Sequence, residues 1–437
     1  MRHSILWAAI GLAVAVGRAQ TPAPPPGGSP PLKLTLKDAL ERARQYGPQF
    51  LQANIAAQLA HEDSVQAKAA LLPSLNGISQ FIYTQPNGLP SGAFVSNDGS
   101  HVYNDQALVH GDIWSPAKRA DYHRALAAEA VARAKTEVAA RGLYATVAQF
   151  YYAMAVADRK IVNAQQALRE AQDFLNITGK LEQGGEAAHS DGIKAQIQLQ
   201  QRRRDLQDAQ LTGDKARVGF AVLLFPDFRQ DFTIDDDLET AAPLPTFAEA
   251  RQLAARNNPD IRAAEATVQQ QTYAITSARA SLLPSLSFDY FFGLNSNQFA
   301  LYNRDHLNNL ASAAQAQLNI PIWTWGAARS KVRQAELQLQ QAKNDLSFTQ
   351  RQLLSELESF YQEAQVAVSQ VDTLRRSMDL SAESLRLTLL RYEAGEVTVL
   401  EVVDAQSTLV QARNAFDDGL ARYRLAVANL QTLTGVF

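Results

Sequence analysis

The chain carries the same sequence pattern twice, and this repetition limits the folds available to its 437 residues. The pentapeptide LLPSL occurs at 71–75 and again at 282–286, and the flanking residues match in the same frame. Pro48 matches Pro259 and Ala53 matches Ala264, both at an offset of 211 residues. Further along the chain the offset is 210 residues, and it pairs Phe150 with Phe360 and Asp191 with Glu401. The period of about 200 residues is far longer than that of solenoid repeats. The sequence therefore predicts a first repeat over 33–243 and a second repeat over 244–437.

The N-terminal residues predict export followed by an extended linker. Arg2 and His3 precede a short apolar run at 5–16, and the small residues Gly17 and Ala19 follow it at the two positions that a signal peptidase reads. This is the pattern of a cleaved signal peptide, which we predict over 1–19. An uncleaved membrane anchor is the alternative, although a spanning helix needs about 20 apolar residues. Residues 20–32 are rich in proline and glycine, which favours a solvated linker.

Each repeat begins with a predicted helix that a proline ends. In the first repeat, Thr35 is a good N-cap residue and Pro73 stops the helix, and the second repeat carries the same pattern. The internal Pro48 should either kink this helix or split off a short first helix.

Long helices with a heptad seam are predicted next in each repeat. Apolar or small side chains recur at spacings of three and four from Val147 to Leu175, and again from Phe360 to Leu385. Helices over about 117–180 and 327–391 would each be on the order of 95 Å long. A seam alone would equally fit an ordinary coiled-coil hairpin.

Two strands are predicted between the first helix and the long helix of each repeat. At 286–294 apolar and aromatic residues alternate with mostly small or polar ones, while the first repeat alternates less regularly. Strands of about ten residues with this pattern suit a barrel with lipid outside and water inside, and a soluble sandwich is the alternative. The predicted strands lie at about 75–84, 102–112, 285–294 and 310–320.

Four strands cannot enclose a water-filled channel in lipid, because their edges would remain unpaired. Several chains must then share one barrel, and three chains supply twelve strands. The predicted fold is therefore mainly α with a transmembrane β portion, in two repeats of helix, strand, strand, long helix and helix. We expect three such chains to assemble as a 12-stranded β-barrel continuous with a long α-helical barrel.

Composition and motifs argue against several other classes of protein. The 41 basic and 44 acidic side chains give a formal charge of −3, which does not favour a nucleic-acid partner. The chain has no cysteine, and neither an HExxH motif nor a P-loop occurs. We therefore predict no enzyme, no metal site and no cofactor.

Two further segments, together with the duplication and the LLPSL motifs, resemble a known family. They are NIPIWTWG at 319–326 and RYEAGEVTVLEVVDAQ at 391–406. Over about 33–437 the chain resembles the TolC-like outer membrane efflux proteins, or outer membrane factors. The resemblance implies a homotrimer in outer membrane lipid that spans into the periplasm. It also implies a periplasmic adaptor (membrane fusion) protein and an inner-membrane transporter as partners, with the chain as the exit duct of a tripartite efflux or type I secretion system.

The resemblance also implies the positions of functional residues. The periplasmic tip and adaptor-docking site would include Gly184, Gly185, Asp191, Gly395 and Glu396, and the channel constriction would be formed by Glu401 and Asp404. Glycine suits the turns because a helix reversal needs a residue that tolerates positive φ. The alternatives are a plain helix cap for the glycines and an ordinary solvated helix face for the carboxylates.

A periplasmic coiled-coil adaptor and a structural spacer protein are the alternative functions. An adaptor would also be exported and rich in heptads, but it would not need a duplicated helix and strand unit. A spacer would leave the aromatic strands without a purpose.

Overall fold

The computed structural model describes residues 32–83, 101–240, 244–303 and 305–435. The predicted signal peptide, residues 20–31 of the predicted linker and the predicted repeat boundary at 243 lie outside these ranges, as does residue 84 of the first predicted strand. Residue 32 was assigned to the linker, and this was wrong. Leu32 begins a short strand, β1 (Leu32–Leu34), that pairs in parallel with residues 232–234.

Both repeats follow the predicted order of elements, except that the first helix is divided in two. The first repeat contains α1 (Leu36–Tyr46), α2 (Pro48–Ala69), β2 (Ser74–Tyr83), β3 (His101–Trp114), α3 (Pro116–Gln183), α4 (His189–Leu224) and β4 (Phe232–Ile234). The second contains α5 (Phe247–Asn257), α6 (Pro259–Ala280), β5 (Ser285–Ser296), β6 (Leu310–Asn319), α7 (Ala327–Glu393) and α8 (Val399–Thr434).

The internal prolines split the first helices rather than kinking them. Pro48 occupies the first turn of α2, where its missing N–H costs nothing, and Gly47 before it is extended. Thr35 caps the N-terminus of α1 and exchanges capping hydrogen bonds with Asp38. The second repeat has the same arrangement, with Asn258 extended before Pro259.

The larger sheet has the strand order β2-β3-β5-β6 and is antiparallel throughout. The two repeats therefore meet at its centre, between β3 and β5. One contact there is between His110 Nδ1 and Asp289 Oδ1, which are 2.6 Å apart. The outer strands β2 and β6 each have one unpaired edge within the described residues.

One face of this sheet is apolar and open. Strand alternation and the register place Phe81, Tyr290, Phe292 and Leu318 on the same face, and all four are exposed in the single chain. This is the face that the sequence analysis assigned to lipid.

The helices form columns in the same order as the strands. The long helix α3 packs against α2 and α6, and also against α4 and α8, while α7 packs against α6 and α8. The four columns are thus α2 with α4, then α3, then α6 with α8, then α7. No helix within the described ranges is both long and apolar enough to span a bilayer.

The main core surrounds the middle of α3. Tyr151 of α3, Phe220 and Leu224 of α4, and Leu238 are each at most 1 % exposed. The strands β1 and β4 and the helix α1 also pack into this cluster. Both α2 and α4 pack along α3, one after the other. This core lies beside α3 where α2 is followed by α4, and it joins the elements of the first repeat.

A buried carboxylate joins α2 to α3. Glu129 of α3 is only 6 % exposed, and Ser64 Oγ of α2 donates a 2.8 Å hydrogen bond to it. Arg133 pairs with the same carboxylate, and His61 Nδ1 lies 3.0 Å from it. The hydrogen bond from Ser64 is the largest of the influences that hold the pKa of Glu129 below its ordinary value.

We expect Glu129→Gln to weaken this junction in a pH-dependent way. Because the folded-state pKa is depressed, the carboxylate stabilises the fold above the ordinary pKa of about 4.5, and this contribution is lost as pH falls through the folded-state value. At pH 7 the variant should therefore be less stable by about 1 to 2 kcal/mol. Thermal unfolding at pH 7 and pH 3 measures this. A deficit that stays constant or grows in acid would contradict the assignment.

Candidate functional site

Two turns join the long helices to the helices that follow them, and each contains a left-handed glycine. Gly185 has φ 78° between α3 and α4, and Gly395 has φ 75° between α7 and α8. The next N–H groups, those of Glu186 and Glu396, donate to carbonyl oxygens five residues earlier at 2.8 and 2.9 Å. These are Schellman-type helix ends, in which the glycine adopts a conformation that other residues reach only with strain.

Gly184 does not share this role, so the conformational argument made for it was wrong. Its φ and ψ of −74° and −10° are right-handed, and it only caps α3. A Cβ atom there would lie 3.5 Å from the nearest carbonyl oxygen, which is an ordinary contact. Gly184 and Gly185 are adjacent and identical in the sequence, which does not show that only Gly185 needs positive φ.

Beneath the turns, a compact apolar cluster joins the two helical hairpins. The rings of Phe174 of α3 and Tyr392 of α7 pack at 5.2 Å between centroids, and Val399 and Val402 of α8 are almost fully buried beside them. Tyr392 donates from its hydroxyl to Thr178 at 3.4 Å. The two turns are therefore held by shared packing.

The predicted constriction residues lie on the surface of α8. Glu401 and Asp404 are both exposed and are three residues apart, which puts them on one face of the helix. The Glu401 carboxylate accepts from the N–H and the hydroxyl of Thr398, at 3.3 and 3.4 Å. The sequence analysis missed this capping role, although a threonine three residues before a glutamate is its usual signal.

The other predicted acidic residues have local cationic partners. Glu396 lies 3.4 Å from Arg391 across the second turn, and Asp191 lies 3.2 Å from Lys194 on α4. Because Lys194 is the counterpart of Asp404, the first repeat has a paired charge where the second has two carboxylates. The acidic face is thus a property of the second repeat.

A separate ion network was not predicted from the sequence. Arg159 of α3 lies 2.5 Å from Asp236, 3.1 Å from Glu239 and 3.3 Å from Asp417 of α8. Asn163 also donates to Asp417 at 2.7 Å. The network ties the segment after β4 to helices of both repeats. Arg159 is 77 to 258 residues away from the three carboxylates that it contacts, so no local pattern could reveal the network.

In this network, burial and ion pairing shift the pKa of each charged side chain in opposite directions. Burial is the largest single influence on Arg159 and works against its positive charge, but its pairings with Asp236, Asp417 and Glu239 together outweigh burial and raise its pKa. Burial raises the pKa of Asp417, although bonds from Asn163 and Arg159 act in the opposite direction. Burial likewise raises the pKa of Tyr152 to about 12 beside Arg424. The network is a structural clamp rather than a reactive centre, since its charges are mutually satisfied.

The chain is similar to known channel proteins. A family model described as "Outer membrane efflux protein" matches residues 250–436. The chain is 21% identical to "Proteases secretion protein PrtF" of Dickeya chrysanthemi, covering 92% of this chain and 88% of that one. It is 22% identical to "Outer membrane protein TolC" of Vibrio cholerae, covering 92% and 90%.

A solved structure has the same fold. The outer-membrane channel OprN superposes with a TM-score of 0.80 at 18% identity, over 92% of this chain and 90% of that one.

This chain belongs to the TolC-like outer membrane efflux protein family. The family consists of channel proteins, and the chain is an efflux channel protein of the cell outer membrane that spans into the periplasm. The resemblance inferred from the sequence is confirmed, as is the mainly helical fold.

Proposed function

We propose that three copies of this chain form a passive exit duct, which an inner-membrane transporter feeds through a periplasmic adaptor. The strands would form a shared barrel in outer membrane lipid, and the helices would form a tube across the periplasm. The observation that carries this proposal is that, within the described residues, the sheet and the outer helices are both open at the two lateral sides of the chain.

The sheet contributes one open edge at each side. All ten residues of β6 are exposed, and so are nine of the ten residues of β2. In a bilayer, unpaired backbone groups at these edges would cost several kcal/mol each. Pairing β6 of one copy with β2 of the next removes both edges.

The helices are open at the same two sides. On α4, Leu211 is 53% exposed and Val222 is 63% exposed, while their counterparts on α8, Ala421 and Thr432, are 7% and 6% exposed. The counterparts differ because α8 packs between the two long helices α3 and α7, whereas α4 packs along only one long helix, α3. A second copy would cover this apolar surface. Three copies would give twelve columns of helices above twelve strands, which closes the ring.

The turns and the acidic face then acquire roles in the assembly. Gly184, Gly185, Asp191, Gly395 and Glu396 would lie at the periplasmic tip, where the adaptor docks. Glu401 and Asp404 from three copies would supply six carboxylates to the narrowest point of the bore. The exposure of both carboxylates and their common helix face support this role.

The cargo is set by the partner transporter rather than by this chain. Relatives carry names as different as "Pyoverdine export outer membrane protein OpmQ" and "Cation efflux system protein CusC". One duct architecture therefore serves several cargoes, and this chain could serve drug efflux or protein secretion. A coiled-coil adaptor or spacer remains the competing function, and the apolar sheet face disfavours it.

Fractionation tests the proposed function. We expect the mature protein to be extracted from the outer membrane by detergent as an oligomer that dissociates only on heating. A soluble periplasmic species would support the adaptor or spacer instead.

A further inference from the structure

The loop between β5 and β6 exposes four large apolar side chains. They are Phe299, Leu301, Tyr302 and Leu307, which are 68%, 58%, 60% and 64% exposed in the single chain. We call residues 299–303 and 305–309 of this loop the outer hairpin. Because β5 follows α6 and β6 precedes α7, the loop lies at the end of the strands that is away from the helices. The chain spans into the periplasm, so this end of the sheet faces the outside of the cell.

Hydrogen bonds inside the outer hairpin hold its shape. Asn303 N–H donates to the carbonyl oxygen of Leu307 at 2.9 Å, and Asn309 N–H donates to that of Leu301 at 2.8 Å. The side-chain oxygen of Asn303 also accepts from the N–H of Leu307 at 2.9 Å. Backbone groups that are paired inside the hairpin make it less costly to place against lipid, where water cannot replace these bonds.

Ring contacts connect the outer hairpin to the apolar face of the sheet. Phe299 packs against Tyr103 of β3, with ring centroids 5.7 Å apart. Tyr103 lies directly opposite Phe81 of β2, and the centroids of these two rings are 4.9 Å apart. Phe81 is on the face that the sequence analysis assigned to lipid. The apolar surface therefore continues from the strands into the outer hairpin.

The opposite face of the sheet is polar at this end. Asn104 of β3 pairs with Gln80 of β2 on one side and with Asn295 of β5 on the other. Each of these residues is next in the chain to a residue of the apolar face, so its side chain points to the opposite face. This polar face would line the bore, where it offers no apolar partner to the outer hairpin.

We infer that the outer hairpin lies against the outer leaflet of the outer membrane, with its apolar side chains among the lipid acyl chains. This inference rests on the proposed function, because the hairpin continues the sheet face that the proposal places in lipid. Asp305 and His306, which are exposed at the turn, suit the polar headgroup layer. Contact with lipid would hold the hairpin to the side of the duct and leave its exit open.

A second copy of this chain is the competing occupant. Outer hairpins of two copies would then meet over the bore and cover each other's apolar side chains. The contact between Phe299 and Tyr103 argues against this arrangement, because Tyr103 is on the apolar face of the sheet and not on the polar face. The continuous apolar surface favours lipid.

Site-directed spin labelling tests where the outer hairpin lies, and the natural chain has no cysteine to interfere. Leu301→Cys and Leu307→Cys place a nitroxide label on each arm of the hairpin. The labelled protein is reconstituted into vesicles of phosphatidylethanolamine and phosphatidylglycerol. Oxygen concentrates among acyl chains and a nickel chelate stays in water, so the ratio of their collision rates with the label reports its surroundings.

Two strand positions supply the reference values. Phe292→Cys places a label on the face proposed for lipid, and Gln317→Cys places one on the opposite face. We expect the labels at Leu301 and Leu307 to give ratios of oxygen to nickel collisions close to that at Phe292. Both ratios should be several-fold above the ratio at Gln317.

The outcomes separate this inference from the proposed function. A ratio at Leu301 or Leu307 that matches Gln317 would overturn the inference, because the hairpin would then lie in water. Low collision rates with both oxygen and nickel would also overturn it, since the label would then be buried against protein. In both cases a high ratio at Phe292 would leave the proposed duct standing. A low ratio at Phe292 would overturn the proposed function and the inference together.

Variants of Phe299 test the link to the sheet independently. Phe299→Ser removes the ring that contacts Tyr103, whereas Phe299→Leu keeps an apolar side chain at the same position. With the label at Leu301, we expect the serine variant to lose most of its oxygen collisions and the leucine variant to keep them. Equal oxygen collisions in the two variants would overturn the claim that Phe299 joins the outer hairpin to the lipid face. The heat-labile oligomer serves as the control for folding of both variants.

Discussion

Gly395→Val together with Gly185→Val will abolish transport while leaving the oligomer intact. Both glycines have positive φ, at 75° and 78°, and a β-branched side chain strongly disfavours that conformation. Each turn would have to open or re-form, which would reshape the tip where we propose that the adaptor docks. The buried cluster around Phe174 and Tyr392 lies outside the turns and should keep the hairpins folded.

The measurement is the resistance of a channel-deficient strain that carries the cognate pump and adaptor, with the heat-labile oligomer followed in parallel. Gly184→Ala is the matched control, because Gly184 is right-handed and has room for a Cβ atom. It should transport like the parent. If the valine variants lost the oligomer as well, the glycines would be structural residues only. If Gly184→Ala failed as completely as they do, positive φ would not be the reason for glycine at the tip.

Glu401→Gln combined with Asp404→Asn will remove most of the cation preference of the channel. In a trimer the change neutralises six carboxylates at the proposed narrowest point, where charges of one sign act together on a passing ion. We expect the cation-to-anion permeability ratio to fall by about tenfold. Single-channel recording in planar bilayers measures both the ratio and the conductance.

The matched control is Asp191→Asn in the first repeat. Asp191 occupies the position equivalent to Glu401, but it is paired with Lys194 at 3.2 Å. Its neutralisation should change the selectivity much less. Unchanged conductance and unchanged selectivity in the Glu401 and Asp404 variant would remove these residues from the constriction. Because Glu401 also caps α8, the variant's helix content should be verified by circular dichroism.

Local patterns in the sequence predicted much of the helical fold. Proline acts through its own ring, so the ends of the first helices near Pro73 and the break at Pro48 could be inferred without knowing the fold. Because the sequence is duplicated, the same inferences applied to Pro259 and Pro284 in the second repeat. The family segments at 319–326 and 391–406 then pointed to the channel class.

Features that depend on distant residues could not be inferred in the same way. The pairing of β1 with β4 joins two three-residue strands that are about 200 residues apart, and neither has a pattern of its own. The network of Arg159 with Asp236 and Asp417 depends on how α3 and α8 pack. Gly184 and Gly185 look alike in the sequence, and only the backbone conformation distinguishes them. Thr398 differs, because its capping signal was present and was missed.

The number of chains in the detergent-solubilised oligomer tests the central claim most directly. A single chain has open edges on both sides of its sheet and of its helical columns, so it cannot enclose water alone. Native mass spectrometry of the mature protein extracted from outer membranes should give the mass of three protomers. A monodisperse monomer that never enters lipid would contradict the shared channel.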